Sequence, residues 1–325
     1  MTLRQRCARW WCLAWFVAIG CGAQNLPQNF PQKTVTLIAP FAPGGSADGI
    51  SRILARELGQ SLGQSVVVEN KPGAGGATGL IALSRAPADG HALGMGATGA
   101  ITIGPHLPEA PPLNPSKQLS PLVKVADIPL VLVASNNAGL QSVQDLLNRA
   151  KTTEVPVANA GQFTAHHLAV ELLASMAQLK LVSVPYRGSA PAIQDVVGGQ
   201  IGLAMVDLTA ALPHIKSGAV KALAVTSATR TRLATTIPTL AEAGVPDYAA
   251  PAWMGLFLPK GVPQATVDKL SNDLMGILAK PEVQQQILAL AAEPQAMNAN
   301  AFTHFIEAES QRWSRVIAAL PKGTR

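Results

Sequence analysis

Residues 34–70, TVTLIAPFAPGGSADGISRILARELGQSLGQSVVVEN, decide the fold class. A β-branched run ends at Pro40 and a glycine turn follows. Ile50, Ile53, Leu54, Leu58 and Leu62 then recur at helical spacing before a second β-branched run, SVVVEN. Strand, helix and strand in that order make one βαβ unit. Working outward, GGATGLIALSRA reads as the next helix, HALGMGA as a third strand, and residues 105–121 as a proline-rich connection. The alternation then resumes: strand IPLVLVAS, a helix over 143–150, strand VPVANA, a helix over 164–177 and strand LKLVSVPY. A helix over 190–197, strand IGLAMVD, a helix reaching Ser217 and strand VKALAVTS complete the second run. After the strand WMGLFLP the chain turns helical, over 263–279, 281–291 and a long stretch to Leu320. There Phe302, Phe305, Ile306, Trp313, Val316 and Ile317 trace one apolar face. Alternation of this kind predicts an α/β protein with mostly parallel sheets. Run twice, it predicts two doubly wound lobes with a cleft between them.

Composition agrees. The 325 residues are 48% hydrophobic and 14% charged, too apolar for a disordered chain. They are also too many for one core, which stops growing near ~250–300 residues. Aromatic residues are only 4%, so the cores are expected to be aliphatic. The formal charge of +6 owes three units to Arg4, Arg6 and Arg9, and from Gln24 onward the basic residues are scattered. No basic stripe is interleaved with aromatics, which argues against a nucleic-acid partner. The three arginines precede an apolar run, residues 10–20, and then Cys21-Gly22-Ala23. Eleven residues are too few for a membrane span, which needs ~20. They fit a cleaved secretory signal over residues 1–23, and so a periplasmic location. A lipoprotein anchor at Cys21 is the second reading, since Ala18-Ile19-Gly20-Cys21 resembles a lipid-attachment box. All three cysteines lie in this segment, so the exported chain has no thiol chemistry.

Three glycine turns carry the functional signal, because ligands of doubly wound sheets sit where strands end and helices begin. They are PFAPGGSAD (40–48), NKPGAGGATG (70–79) and NAGQFTAHHL (159–168). Unpaired N–H groups at helix starts, at a positive dipole end, can hold a carboxylate without any arginine. Asp48 can cap its helix or bond a ligand, and Thr164 can cap the third turn's helix. Lys71, Arg52 and Arg187 are the nearby cations. Asp207, closing the apolar strand IGLAMVD, either faces the cleft or caps a helix. His166 and His167 are adjacent and point ~100° apart on a helix, so they cannot chelate one metal from one face; surface or half-buried positions are expected for both. No metal, cofactor or catalytic residue is assigned. GAGGATG has Thr78 where a dinucleotide loop needs glycine, and GGSAD lacks the last glycine of a nucleophile elbow.

At these residues the sequence resembles the Bug-type extracytoplasmic solute receptors of tripartite tricarboxylate transporters. The resemblance covers nearly all of the exported chain. Its markers are TLIAPFAPGGSADGISR, VVVENKPGAGGATG, ADGHALGMGATGA, SVPYRGSAPAIQDVVGGQIGLAMVD, LPHIKSGAVKALAVTSATR, IPTLAEAGVPDY and WMGLFLPKGVP. It implies a type II periplasmic binding protein fold whose lobes close on a carboxylate: a di- or tricarboxylate, an acidic amino acid or an aromatic acid. It maps ligand-binding positions onto Phe41, Gly44, Gly45 and Asp48, onto Gly73, Gly75 and Gly76, and onto Ala97 and Thr98. In the second lobe they fall on Gly161, Thr164, Ala165, Gly188, Ser189 and Asp207. The chain departs from the pattern at Ala165, where many relatives carry a hydroxyl, and Phe163 adds bulk that favours a less polar or aromatic ligand. The segment LTAALPHI is one residue shorter than usual. The reading is therefore a monomeric, non-catalytic receptor handing its solute to membrane transporter subunits. Lobe 1 is residues 24–126 with 252–325, lobe 2 is 127–251, and the hinge lies near 123–128 and 246–253. A co-sensor docking on a membrane signalling protein and a hydrolase on an α/β scaffold are the rivals.

Overall fold

In the computed structural model, which describes residues 30–320, the opening unit is β1 (Val35–Ala39), α1 (Ser46–Leu62) and β2 (Val66–Asn70). The export signal expected over residues 1–23 lies outside the described residues. Then come α2 (Ala77–Ser84), β3 (Ala92–Ala97), a π-helical turn (Gly99–Ile103), the short α3 (Pro115–Gln118) and β4 (Leu119–Ile128). The second run is β5 (Leu130–Ser135), α4 (Val143–Ala150), β6 (Val155–Asn159), α5 (Ala165–Ala177) and β7 (Leu181–Pro185), followed by α6 (Ser189–Val197), β8 (Leu203–Asp207), α7 (Leu208–Lys216) and β9 (Val220–Val225). The chain ends with β10 (Ala252–Pro259), α8 (Gln264–Ala279), α9 (Pro281–Ala289), β11 (Glu293–Asn298) and α10 (Ala299–Ala319). Helix starts follow their local chemistry: Ser142 and Asp145 form a full capping box on α4, and Asn298 accepts from the Ala301 N–H at the start of α10.

Two sheets result, ordered β11-β4-β10-β3-β1-β2 and β7-β6-β8-β5-β9. Both lie within the same compact unit. Only Pro129 separates β4 in the first sheet from β5 in the second, and residues 226–251 carry the chain back to β10. The expectation of mostly parallel sheets needs correcting. β10 and β11 run against the rest of the first sheet, and β5 runs against its neighbours in the second. For β10 and β5 the reversal follows from the crossing: a strand entering a sheet from the other lobe arrives from the opposite end. Two strands also fall where no strand was expected. β4 begins inside the proline-rich connection, and its partner β11 has the sequence EPQAMN, without β-branched residues. β11 is held from below by Lys124, 1% exposed, whose ammonium donates to Gln295 Oε1 at 3.1 Å and meets Asp127 Oδ1 at 2.6 Å. Phe305 lies under the same ammonium, 4.4 Å away. Burial pushes the Asp127 carboxyl up against the pull of Lys124.

The cores are aliphatic as composition requires, with one exception. Trp253, Phe257, Phe302 and Phe305 form an aromatic cluster on the first sheet. Trp253 meets the edges of Phe302 at 5.4 Å and Phe305 at 5.5 Å. The cluster fits because β10 is glycine at 255: a Cβ there would lie 2.3 Å from Phe302 Cζ and 2.8 Å from the Val123 carbonyl oxygen. Gly255→Ala is therefore expected to destabilise by about 1–3 kcal/mol through overpacking. Adding Phe302→Leu should recover part of that loss, since one of the two obstacles goes. Urea unfolding of both single variants and the double reads this directly; strictly additive losses would contradict the packing described.

Candidate functional site

The carboxyl ends of β1, β3, β6, β7 and β8, from both sheets, converge on one small cavity of about 20 Å³. Each strand delivers a turn. β1 leads to Phe41, Ala42, Gly45, Ser46 and Ala47, and β3 contributes Ala97, Thr98 and Gly99. β6 leads to Ala160, Thr164, Ala165 and His166, β7 to Ser189, and β8 ends in Asp207. Gly75, Ile128 and the first residues of β10, Ala252, Trp253 and Met254, close the lining. The turns of the two sheets touch. Ala42 N–H donates to the Arg187 carbonyl at 3.3 Å. Gly75 sits at φ +64 where a Cβ would come within 2.6 Å of the Gln162 carbonyl oxygen, so only glycine brings these turns together.

Four helices begin at this seam: α1, α5, α6 and α7. Neither α1 nor α6 has a side-chain cap, since Gly45 and Gly188 precede them. At α1 the Ser46 N–H turns instead to the Asp207 carboxylate across the seam, while the first turn of α6 lacks the partner that a Ser or Asp cap supplies. α5 is capped by Thr164, whose hydroxyl accepts from His167 N–H at 3.2 Å and donates to the Gly161 carbonyl at 2.6 Å.

Asp207 ties the two sheets together at the centre. It is 5% exposed, and its Oδ2 accepts from the Ser46 hydroxyl, at the first turn of α1, at 2.6 Å. Its Oδ1 lies 2.6 Å from His166 Nε2, and its backbone N–H donates to Ser189 Oγ at 3.1 Å. Burial alone would push this carboxyl up; His166, with the hydroxyl and N–H of Ser46, outweighs burial and holds it below the usual carboxylate range. An ionised carboxylate can only accept, so Nε2 of His166 carries the proton and donates. The other ring nitrogen, Nδ1, is buried and meets no hydrogen-bond partner. A hydrolytic relay needs the acid on one imidazole nitrogen and the serine on the other. Here Asp207 takes Nε2, the same nitrogen that Ser189 Oγ approaches at 3.5 Å. The arrangement bridges two sheets; it does not hand a proton to a nucleophile.

Of the positions expected at the site, Phe41, Gly45, Gly75, Ala97, Thr98, Thr164, Ala165, Ser189 and Asp207 line the cavity. Gly44, Asp48, Gly73, Gly76, Gly161 and Gly188 are not among the lining residues. They shape the turns behind it. Asp48 in particular is spent: Oδ1 is 2.8 Å from Arg52 and 3.1 Å from Asn70 Nδ2, while Oδ2 accepts from Gly44 N–H at 3.2 Å. Arg52, its side chain still 56% exposed, is its partner, and Lys71 pairs with Glu69. Phe163, whose bulk was expected near the ligand, is not in the lining; its carbonyl packs against Gly99. The expectation of surface or half-buried histidines is wrong for His166, which is 6% exposed. The residues that sequence reasoning missed are chiefly His166 and Ser46. Among the described residues no group of three or more His, Cys, Asp or Glu could hold a metal, and no helix is long and apolar enough to cross a membrane.

Two α/β lobes with a cleft at their strand ends define a solute-binding protein. The family model described as "Tripartite tricarboxylate transporter family receptor" matches residues 50–321, and the chain belongs to that family. It is 34% identical over 301 residues to protein BugT of Bordetella pertussis (strain Tohama I), covering 92% of each chain. The structure of the periplasmic binding protein BugD superposes with a TM-score of 0.84 at 33% identity, covering 89% of this chain and 98% of that one. R. palustris Rpa4515, solved with adipate, superposes with a TM-score of 0.85 at 30% identity, covering 89% and 97%. The fold is that of type II periplasmic binding proteins.

Next to His166, His167 has a separate consequence. Its Nδ1 accepts from Phe163 N–H at 3.4 Å, and burial pushes its pKa down to about 4. An unfolded His titrates near 6.5. Between those values the unfolded chain takes up a proton that the folded chain refuses, so stability falls as pH drops from 6.5 to 4. Urea unfolding from pH 7 to pH 4 should show this loss, on the order of 3 kcal/mol, and a shallower slope in His167→Gln. Equal slopes would contradict a buried neutral His167.

Proposed function

We propose that this protein is a non-catalytic extracytoplasmic receptor. It captures a small carboxylate-bearing solute between its lobes and delivers it to the membrane subunits of a tripartite tricarboxylate-type transporter. The observation that carries this reading is the meeting of four helix starts, from both sheets, around one cavity. Helix N-termini favour an anion by their dipoles and their unpaired N–H groups, the more so out of water. A carboxylate held by the first turns of α1 and α6 would lie between the sheets and draw them together. The family to which the chain belongs and the adipate seen in the relative Rpa4515 support the same solute chemistry.

Lobe 1, residues 24–126 with 252–325, would carry the first sheet, and lobe 2, residues 127–251, the second. The hinge would be the two crossings, one at Pro129 and the other near residues 246–253, where the Thr226 hydroxyl donates to the Ala250 carbonyl and the Thr226 carbonyl accepts from the Ala250 N–H. Opening then costs the Ser46–Asp207 hydrogen bond and the contacts of Gly75 and Gly99 with the third turn. The glycine positions outside the lining, Gly44, Gly73, Gly76, Gly161 and Gly188, would act through the shape of these turns. A receptor that must open and close in the periplasm would work as a monomer.

The test is thermal melting of the chain from Gln24 onward against a panel of carboxylates, after denaturing and refolding to strip co-purified solute. A ligand at 100 times its Kd stabilises by about 2.7 kcal/mol. At this chain length that raises the midpoint on the order of 5 °C. A dose-dependent shift with carboxylates, absent with the matching amides or alcohols, is the expected result; no shift with any carboxylate would overturn the reading.

A further inference from the structure

Two ring nitrogens in the lining of the cavity are buried without a hydrogen-bond partner: Nδ1 of His166, from the second sheet's side, and Nε1 of Trp253, from the first. Buried polar groups left this way are rare, because each loses its water and gains nothing in return. The two differ in chemistry. An indole N–H can only donate, and the Trp253 ring is set edge-to-face against Phe302 and Phe305 of α10. His166 is 6% exposed, and its Nε2 carries the proton that Asp207 Oδ1 accepts at 2.6 Å. A second proton, on Nδ1, would be a buried N–H with no acceptor. Nδ1 therefore keeps its lone pair and is an acceptor. The hydroxyls of the lining are already engaged: Thr98 accepts from the Trp253 backbone N–H, Thr164 bonds within its own turn, and Ser46 and Ser189 are bonded to Asp207.

We propose that His166 Nδ1 sets the specificity of the cleft: it accepts the hydroxyl proton of a solute that carries a hydroxyl beside its carboxylate, an α-hydroxy acid. The inference rests on the carboxylate reading above and deepens it. The first turn of α6, which has no side-chain cap, begins at Ser189, and Ser189 Oγ is 3.5 Å from His166 Nε2. Nδ1 lies across a single ring carbon from Nε2, so one short solute can reach both that turn, with its carboxylate, and the ring, with a hydroxyl on the adjoining carbon. A hydroxyl brings a donor and no charge. An ammonium would set a positive charge beside helix starts that favour anions, in a lining whose single carboxylate is already paired. An acid without the hydroxyl leaves Nδ1 unsatisfied, and a site built to pair such a group rejects the analogue that cannot.

The experiment is isothermal titration of the refolded, solute-free protein with sets of acids that share a carbon body. The sets are lactate, propionate, α-methoxypropionate and alanine; mandelate, phenylacetate, α-methoxyphenylacetate and phenylglycine; and malate, succinate, methoxysuccinate and aspartate. In any set that binds, the hydroxy acid should be tighter than the plain acid by on the order of tenfold or more. The methoxy acid keeps the oxygen and loses the proton, and should bind no better than the plain acid. In His166→Gln, whose amide N–H can keep the hydrogen bond to Asp207 but puts no ring nitrogen in the place of Nδ1, the ratio of hydroxy to plain acid should fall toward one. A second measurement needs no variant. In protein labelled with ¹⁵N-histidine, the His166 Nδ1 resonance should be that of an unprotonated ring nitrogen and should move when the hydroxy acid is added. A plain or methoxy acid that equals its hydroxy partner overturns the proposal, the methoxy result pointing to a donor such as Trp253 Nε1. An amino acid that outbinds the hydroxy acid, a protonated Nδ1 in the complex, or an unchanged ratio in folded His166→Gln overturns it too. Each of these leaves carboxylate capture intact. Failure of every acid in every set strikes the carboxylate reading itself, and the inference falls with it.

Discussion

An ionised carboxylate buried in a protein must be paired, and the pairing of Asp207 organises the cleft. The partners of this residue come from three places that only the fold brings together: Ser46 at the start of α1 and His166 at the start of α5 hold the carboxylate, and Ser189 at the start of α6 accepts from the backbone N–H. One of these belongs to the first sheet's side and two to the second. The carboxylate therefore links the halves of the molecule, and the lobes cannot separate without exposing it or finding it new partners. Losing one buried partner of such a group costs far more than losing an exposed ion pair. The contacts of Gly75 and Gly99 with the third turn act in the same direction, since backbone meets backbone there without intervening side chains.

The same carboxylate sits where a ligand's would be useful, at the uncapped first turn of α1. Helix ends need an acceptor, and an aspartate from across the seam supplies one. A solute carboxylate offers the same chemistry without the covalent tether. Under the proposed function, binding would be a substitution among acceptors, its energy the difference between two similar interactions plus whatever of the solute is buried against Trp253 and Met254. On that reading the cleft can hold a carboxylate with no lysine or arginine in its lining.

Much of this was legible in the residue order. The β-branched runs and the 3.6-residue spacing locate most strands and helices, because each element's own burial pattern writes them. β4 and β11 escape, since prolines interrupt the one and the other, EPQAMN, is held by Lys124 and by pairing with β4. The glycine turns point to the seam correctly, but not every glycine in them faces it. Asp48 shows why: an acidic residue in such a turn can serve the solute or the turn, and Arg52, one helical turn on, decides for the turn. His166 could not be found from spacing, being 41 residues from its partner. A usable signal existed all the same. Asp207 ends a fully buried strand, such a carboxylate needs a donor, and β6, which leads to His166, pairs directly with β8.

The most direct test of a single anion held between two lobes is an amide-resolved titration. In ¹⁵N-labelled protein, the amide resonances of Gly45, Ser46 and Ala47 in the first turn of α1 would be followed with those of Ala165 and Ser189 as a binding carboxylate is added. All of them should shift in one saturable process with a common Kd, because the same ligand touches helix starts from both sheets. Shifts confined to one side of the seam, or two sets with different Kd values, would contradict capture between the lobes.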